Sequence, residues 1–149
     1  MPATLRERIG SLLRAQSWMC PPLMTEVARR WIASPRYPEL LAWQTAELAA
    51  RQRLARASFE ALTPRHLTHG ANFWLPLPEG RRASEVQALL KSEGVLVATP
   101  EPFCTGSEPA PQAIRLCVGA PDSRESLQQA LATVRRVLEQ GDTSPWATL

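Results

Sequence analysis

Lysine is almost missing from this chain. Of its 17 basic residues only Lys91 is a lysine, so chemistry that needs a catalytic lysine has one candidate. The three cysteines, Cys20, Cys104 and Cys117, are odd in number and form no CxxC, so neither a disulfide framework nor a thiolate metal site is indicated. They read as small apolar fillers. There is no G-x-S-x-G, no G-x-G-x-x-G and no Walker A stretch. Paired carboxylates are not conspicuous: Glu101, Glu108, Asp122 and Glu125 read as loop and cap residues. His66 and His69 lie three apart with no evident third ligand, and read as polar groups of a loop. No apolar run is long enough to span a bilayer. The start, "MPATLRERIGSLLRAQS", lacks the continuous apolar core of a secretory leader, and its arginines give it only weak transit-peptide character. A cytoplasmic location is the expectation, with no membrane partner.

What is present suits a globular domain. The 149 residues are 44% apolar and 21% charged. A compact chain of that length buries roughly 70% of its unfolded surface. Net charge is +3, unevenly spread: residues 1–66 hold ten Arg against five Glu, while 67–149 hold seven basic and nine acidic groups. The arginine-rich first part fits either solvated helix faces or a weak contact with a polyanion.

Hydrophobic spacing divides the chain near "LTPRHLTHG", residues 62–70. Before it the patterns are helical. Leu5, Ile9, Leu12 and Leu13 share one face of a helix over 3–16. After Pro21 and Pro22 a second helix is expected over 23–33, with Val27, Trp31 and Ile32 apolar. A third, long helix is expected over 39–62, rich in Ala, Leu, Gln, Glu and Arg, and stopped by Thr63-Pro64. Beyond the division, strands are predicted over 71–78, 95–99 and 113–119. A helix over 84–94, with Val86, Leu89 and Leu90 inward and Gly94 as its stop, joins the first two. Lys91 falls on that helix's polar side, with neither the burial nor the cationic neighbour that an imine-forming lysine needs. A proline-rich loop, 100–112, joins the second strand to the third. Asp122 to Glu125 fits a capping box for a last helix carrying Leu127, Leu131, Val134 and Leu138, stopped at Gly141. The expected class is α+β: N-terminal helices including one long one, then β-α-β-β-α with a three-stranded, mostly antiparallel sheet covered by helices.

One residue stands out. In "PQAIRLCVGAP" the apolar Ile114, Leu116 and Val118 alternate, and Arg115 occupies the other face of the strand. An arginine cannot shed its charge. Buried alone it would cost several kcal/mol. It therefore meets solvent, a carboxylate of the protein, or the anion of a ligand, and the spacing leaves these three open.

A family resemblance rests on three stretches that cover nearly the whole chain. They are "SWMCPPLMTEVARRWI" with "LLAWQTAELAARQRLA", then "HLTHGANFWLPLPEG", then "AIRLCVGAP" with the helix after it. Together they resemble the C-terminal part of a fold-type I pyridoxal-phosphate aminotransferase. The nearest likeness is to the aminotransferase-like domain of MocR-type regulators of the GntR superfamily. The resemblance implies a helical segment over 1–62, ending a large domain and linking it to a small C-terminal domain over 63–141, with a tail over 142–149. It implies that Arg115 matches the strand arginine that binds a substrate α-carboxylate. It also implies pyridoxal phosphate, an amino-acid or amine ligand, a homodimer and a DNA-reading N-terminal domain in the full-length protein. The lysine segment, the Asp facing the pyridine nitrogen and the Asn and Tyr near the ring oxygen have no match here, and Glu101-Pro102 stands where many relatives show a glycine before the aromatic. The chain is therefore expected to be a fragment, with no cofactor bound to it alone and no catalytic residue of its own.

Two readings of other classes remain beside it. One is a basic helical nucleic-acid binder using Arg51, Arg53 and Arg56. The other is an interaction module presenting Trp18, Trp31 and Trp43.

Overall fold

The computed structural model describes residues 3–62 and 64–140. The chain forms two compact units, Met1–Ala42 and Trp43–Leu149. The first unit holds α1 (Ala3–Ser17), α2 (Pro22–Ile32) and the opening of α3 (Arg36–Ser58). Proline shapes both starts: Pro22 sits in the first turn of α2, where its missing N–H has no partner to lose, and Pro38 does the same in α3. Glu26 bridges Arg29 and Arg30 on α2, each at 2.7 Å. Trp31 and Tyr37 meet edge to face at 6.3 Å. No residue from 5 to 42 is buried, so the predicted apolar face of α1, with Leu5, Ile9, Leu12 and Leu13, lies exposed.

The second unit carries the core. The rest of α3 is followed by a 3-10 turn (Glu60–Leu62), β1 (Arg65–His66), β2 (Asn72–Pro76), α4 (Ala83–Ser92), a 3-10 turn (Glu101–Phe103), β3 (Ala113–Cys117) and α5 (Arg124–Glu139). The main pairing is antiparallel between β2 and β3, running from Asn72 opposite Cys117 to Pro76 opposite Ala113. The two-residue β1 flanks β2 on its other side. Alternation puts Phe73 and Leu75 of β2, and Ile114, Leu116 and Val118 of the β3 stretch, on one face. There they meet Ala55 and Phe59 of α3, Val86 and Leu90 of α4, and Leu127, Leu131, Val134, Val137 and Leu138 of α5. Helices thus cover one face of the sheet.

Three helix ends in this unit have definite partners. Ser123 caps α5 by accepting the Ser126 N–H at 3.0 Å. Gly94 closes α4 at φ +79, with its N–H on the Lys91 carbonyl and the Val95 N–H on the Leu90 carbonyl, a Schellman pattern. The Gln112 side chain accepts the Ala83 N–H at 2.8 Å, tying the start of α4 to the run-in of β3.

Several expectations are corrected. The stretch 95–99 is not a strand: it makes one isolated bridge, Ala98 opposite Arg115. Val95 and Val97 pack on the core while Leu96 is 80% exposed, so the alternation is strand-like but the ladder is absent. The third member of the sheet is instead Arg65–His66, and the order is β-β-α-β-α rather than β-α-β-β-α. The long helix ends at Ser58, before Thr63-Pro64, where the Phe59 ring turns into the core. The cap of α5 is Ser123, not Asp122. Leu89 is exposed, because α4 buries the face of Ala83, Val86 and Leu90. The predicted stop at Gly141 lies outside the described residues.

Candidate functional site

The sheet face turned away from the helices carries Asn72, Trp74, Arg115 and Cys117. Arg115 is central to it. Trp74 lies directly across on β2. On the other side the Arg115 N–H donates to the Ala98 carbonyl at 2.7 Å, and the Ala98 N–H returns to the Arg115 carbonyl at 3.2 Å. Both backbone groups of Arg115 thus go to Ala98, while its neighbours Ile114 and Leu116 pair with β2, which fixes where its side chain begins.

The guanidinium has no hydrogen bond and no ion pair among the described residues, and its Nε is buried without a partner. It lies over the ring of Phe103, with Cζ 4.7 Å from the ring centroid. Phe103 ends the 3-10 turn Glu101–Phe103, closed by its own N–H on the Pro100 carbonyl at 2.8 Å. Glu101, in the same turn, is not the missing anion: its carboxyl is held below the usual carboxylate range first by the Thr99 hydroxyl and then by its own backbone N–H. Of the three possibilities left by the sequence, no carboxylate among the described residues meets it. What remains is a fixed, permanently charged, bidentate donor with an aromatic wall.

The other candidates separate clearly. Lys91 is exposed near the end of α4. Cys20, Cys104 and Cys117 are free and exposed, contrary to the expected fillers. No group of three His, Cys, Asp or Glu residues able to hold a metal occurs among the described residues. Arg51, Arg53 and Arg56 do not form a basic face. Arg51 is only 8% exposed and binds Glu47 Oε1 at 2.7 Å, the Val118 carbonyl at 3.1 Å and the Pro121 carbonyl at 2.6 Å. Arg124 closes on the same Glu47 at 2.6 Å. The Arg124 and Arg51 hydrogen bonds hold the Glu47 carboxyl at about 2. This cluster fastens α3 to the loop between β3 and α5. Sequence reasoning missed both it and the aromatic wall of the site, since Phe103 approaches Arg115 only through the fold of a proline-rich loop.

An apolar cavity of about 340 Å³ opens where 94–97 departs from β3, lined by Val95, Val97, Leu116, Cys117, Leu127 and Val134 among others. It contains no charged side chain and lies apart from the guanidinium in chemistry.

No family model matches the chain. It is 28% identical over 139 residues to the uncharacterized HTH-type transcriptional regulator YdeF of Bacillus subtilis (strain 168), covering 93% of this chain and 30% of that protein. Among solved structures it superposes on an archaeal alanine:glyoxylate aminotransferase with TM-score 0.70 and 18% identity, over 85% of this chain and 32% of the other. The aromatic aminotransferase from Pyrococcus horikoshii gives TM-score 0.71 at 15% identity, over 95% and 38%. LysN, the α-aminoadipate aminotransferase from Thermus thermophilus, complexed with N-(5'-phosphopyridoxyl)-L-leucine, gives 0.71 at 16%, over 94% and 36%. The chain thus spans about a third of each relative. The resemblance drawn from the sequence holds from two sides, a regulator by sequence and aminotransferases by fold. Among the described residues no helix is long and apolar enough to cross a membrane.

Proposed function

We propose that this chain is the small-domain part of an aminotransferase-like transcriptional regulator, and that Arg115 binds the carboxylate of an amino-acid ligand in the complete protein. The observation that carries the reading is the unpartnered Arg115 guanidinium, held on a sheet whose strands carry no carboxylate of their own. An anion is the partner it lacks, and a planar carboxylate matches its fork with two parallel hydrogen bonds.

In that setting the complete protein uses pyridoxal phosphate, reads DNA through a domain outside this chain, works as a homodimer and resides in the cytoplasm. The domain plan of 1–62, 63–141 and 142–149 belongs to the same proposal, with 1–62 joining the small domain to the rest. The unburied Leu12, Trp18, Leu23 and Trp31 fit a surface covered by that remainder. Ligand binding at Arg115 would act on DNA affinity through its differential strength in two domain arrangements.

The residues present do not fit the cofactor itself. The sole lysine, Lys91, stands exposed on α4, where nothing encloses an imine. No catalytic step is therefore assigned to this chain, and Arg115 is a binding residue. Nucleic-acid binding through Arg51, Arg53 and Arg56 loses its support, because Arg51 is engaged inside the fold.

The test is amino-acid binding to the complete protein with Arg115 and with Arg115→Gln. Two charge-assisted hydrogen bonds at about 1.5–3 kcal/mol each predict a loss of roughly 100-fold or more. Equal affinity in the two would remove the reading.

A further inference from the structure

We infer that Phe103 is a positioning residue for Arg115, orienting its guanidinium so that a carboxylate is met end-on by the two terminal nitrogens. The inference rests on the carboxylate role of Arg115 and adds what sets the geometry of that role.

Three observations carry it. First, the Arg115 backbone is bonded through both its groups to Ala98 and its strand neighbours pair with β2, so orientation is decided beyond Cβ. A free arginine side chain there would still sample many rotamers. Second, Phe103 covers one face of the guanidinium at 4.7 Å, the contact that a cation and a ring quadrupole favour. Stacking leaves the in-plane N–H edge uncovered. Third, Nε is buried without a partner, whereas the two terminal nitrogens are neither bonded nor buried. A side-on pairing through Nε is therefore closed, and an end-on pairing through both terminal nitrogens is open.

The ring's own perch is stiff. Pro100 is fully buried, Pro102 restricts the backbone φ just before Phe103, and the Phe103 and Cys104 N–H groups close the turn on the Pro100 and Glu101 carbonyls. Trp74, though directly across from Arg115, makes no ring contact with it among the described residues, so the orienting contact belongs to Phe103. Because Phe103 is 54% exposed, it contributes little to the core, and its replacement is expected to leave the fold intact.

The experiment uses the 149-residue chain labelled with ¹⁵N. The Arg115 Nε–H resonance, assigned by its loss in Arg115→Lys, is followed alone and in an acetate titration. In the wild type the resonance is expected upfield from the ring current, with slow guanidinium rotation. Phe103→Leu abolishes both signatures and weakens acetate binding about three- to tenfold. Phe103→Tyr, which keeps a ring of the same size, restores both. Urea midpoints for all variants confirm an unchanged fold. If Phe103→Leu rotates and binds as the wild type does, the positioning role is overturned. Should the wild type show the ring-current shift and slow rotation but ignore acetate, the carboxylate reading of Arg115 falls while the orienting contact stands. Loss in Phe103→Tyr equal to that in Phe103→Leu also overturns the inference.

Discussion

Replacing Arg51 by methionine should cost this protein about 3 kcal/mol, although the residue is one of a run of surface-like arginines in sequence. Methionine keeps the length and the apolar stem while removing the charge and its donors. Two of those donors' acceptors, the Val118 and Pro121 carbonyls, are backbone groups with no substitute nearby. A hydrogen bond from a charged donor contributes about 1.5–3 kcal/mol. The Pro121 carbonyl, only partly buried, regains some water, which keeps the sum near the lower end. With a urea dependence of about 2 kcal/mol per molar, the unfolding midpoint should fall by about 1.5 M at constant slope. Arg53, exposed two residues on, is the control: Arg53→Met should stay within about 0.5 kcal/mol of the wild type. Equal midpoints for the two variants would show that the Arg51 cluster fastens nothing. The same pair bears on nucleic-acid binding, since neither arginine should produce a gel shift with random duplex at low salt.

Acid should weaken the same cluster from its other side. The Glu47 carboxyl, held at about 2, has a folded pKa below its unfolded value near 4.5, so its contribution is complete above about 4.5 and is lost as pH falls toward 2. Urea midpoints measured between about pH 6 and pH 2 should drop through that window, and Glu47→Gln should be less stable at the upper end yet converge with the wild type at the lower. At the start of α5, Ser123→Ala removes the acceptor of the Ser126 N–H and should lower stability by about 1 kcal/mol, read as a melting temperature several degrees lower.

Much of this fold was legible because burial follows period. Phe73 and Leu75, Ile114, Leu116 and Val118, and the Leu127 to Leu138 face of α5 were all readable from spacing. The errors fall where spacing is silent. Residues 95–99 alternate as a strand should, but a strand also needs a partner whose backbone groups are free. Only Ala98 finds one, because Arg115 is the position of β3 to which it bonds. Arg65–His66 is too short to leave any pattern, and its pairing with β2 is visible only in three dimensions. In the first unit, apolar periodicity marked α1 and α2 correctly as helices while saying nothing of what buries them. The site was half legible: alternation placed Arg115 on the open face, yet its wall came from Phe103, on the far side of the loop that carries Pro109 and Pro111.

The two faces of β3 divide the labour of this domain in a way that bears on how its descendants can change. Ile114, Leu116 and Val118 answer to packing, where one lost methylene is felt throughout. Arg115 and Cys117 answer to nothing inside the core. A single codon can therefore change the chemistry of the open face and leave the packed face alone. Lineages carrying this domain are free to drift on that open face, and two copies with the same core can present different groups there.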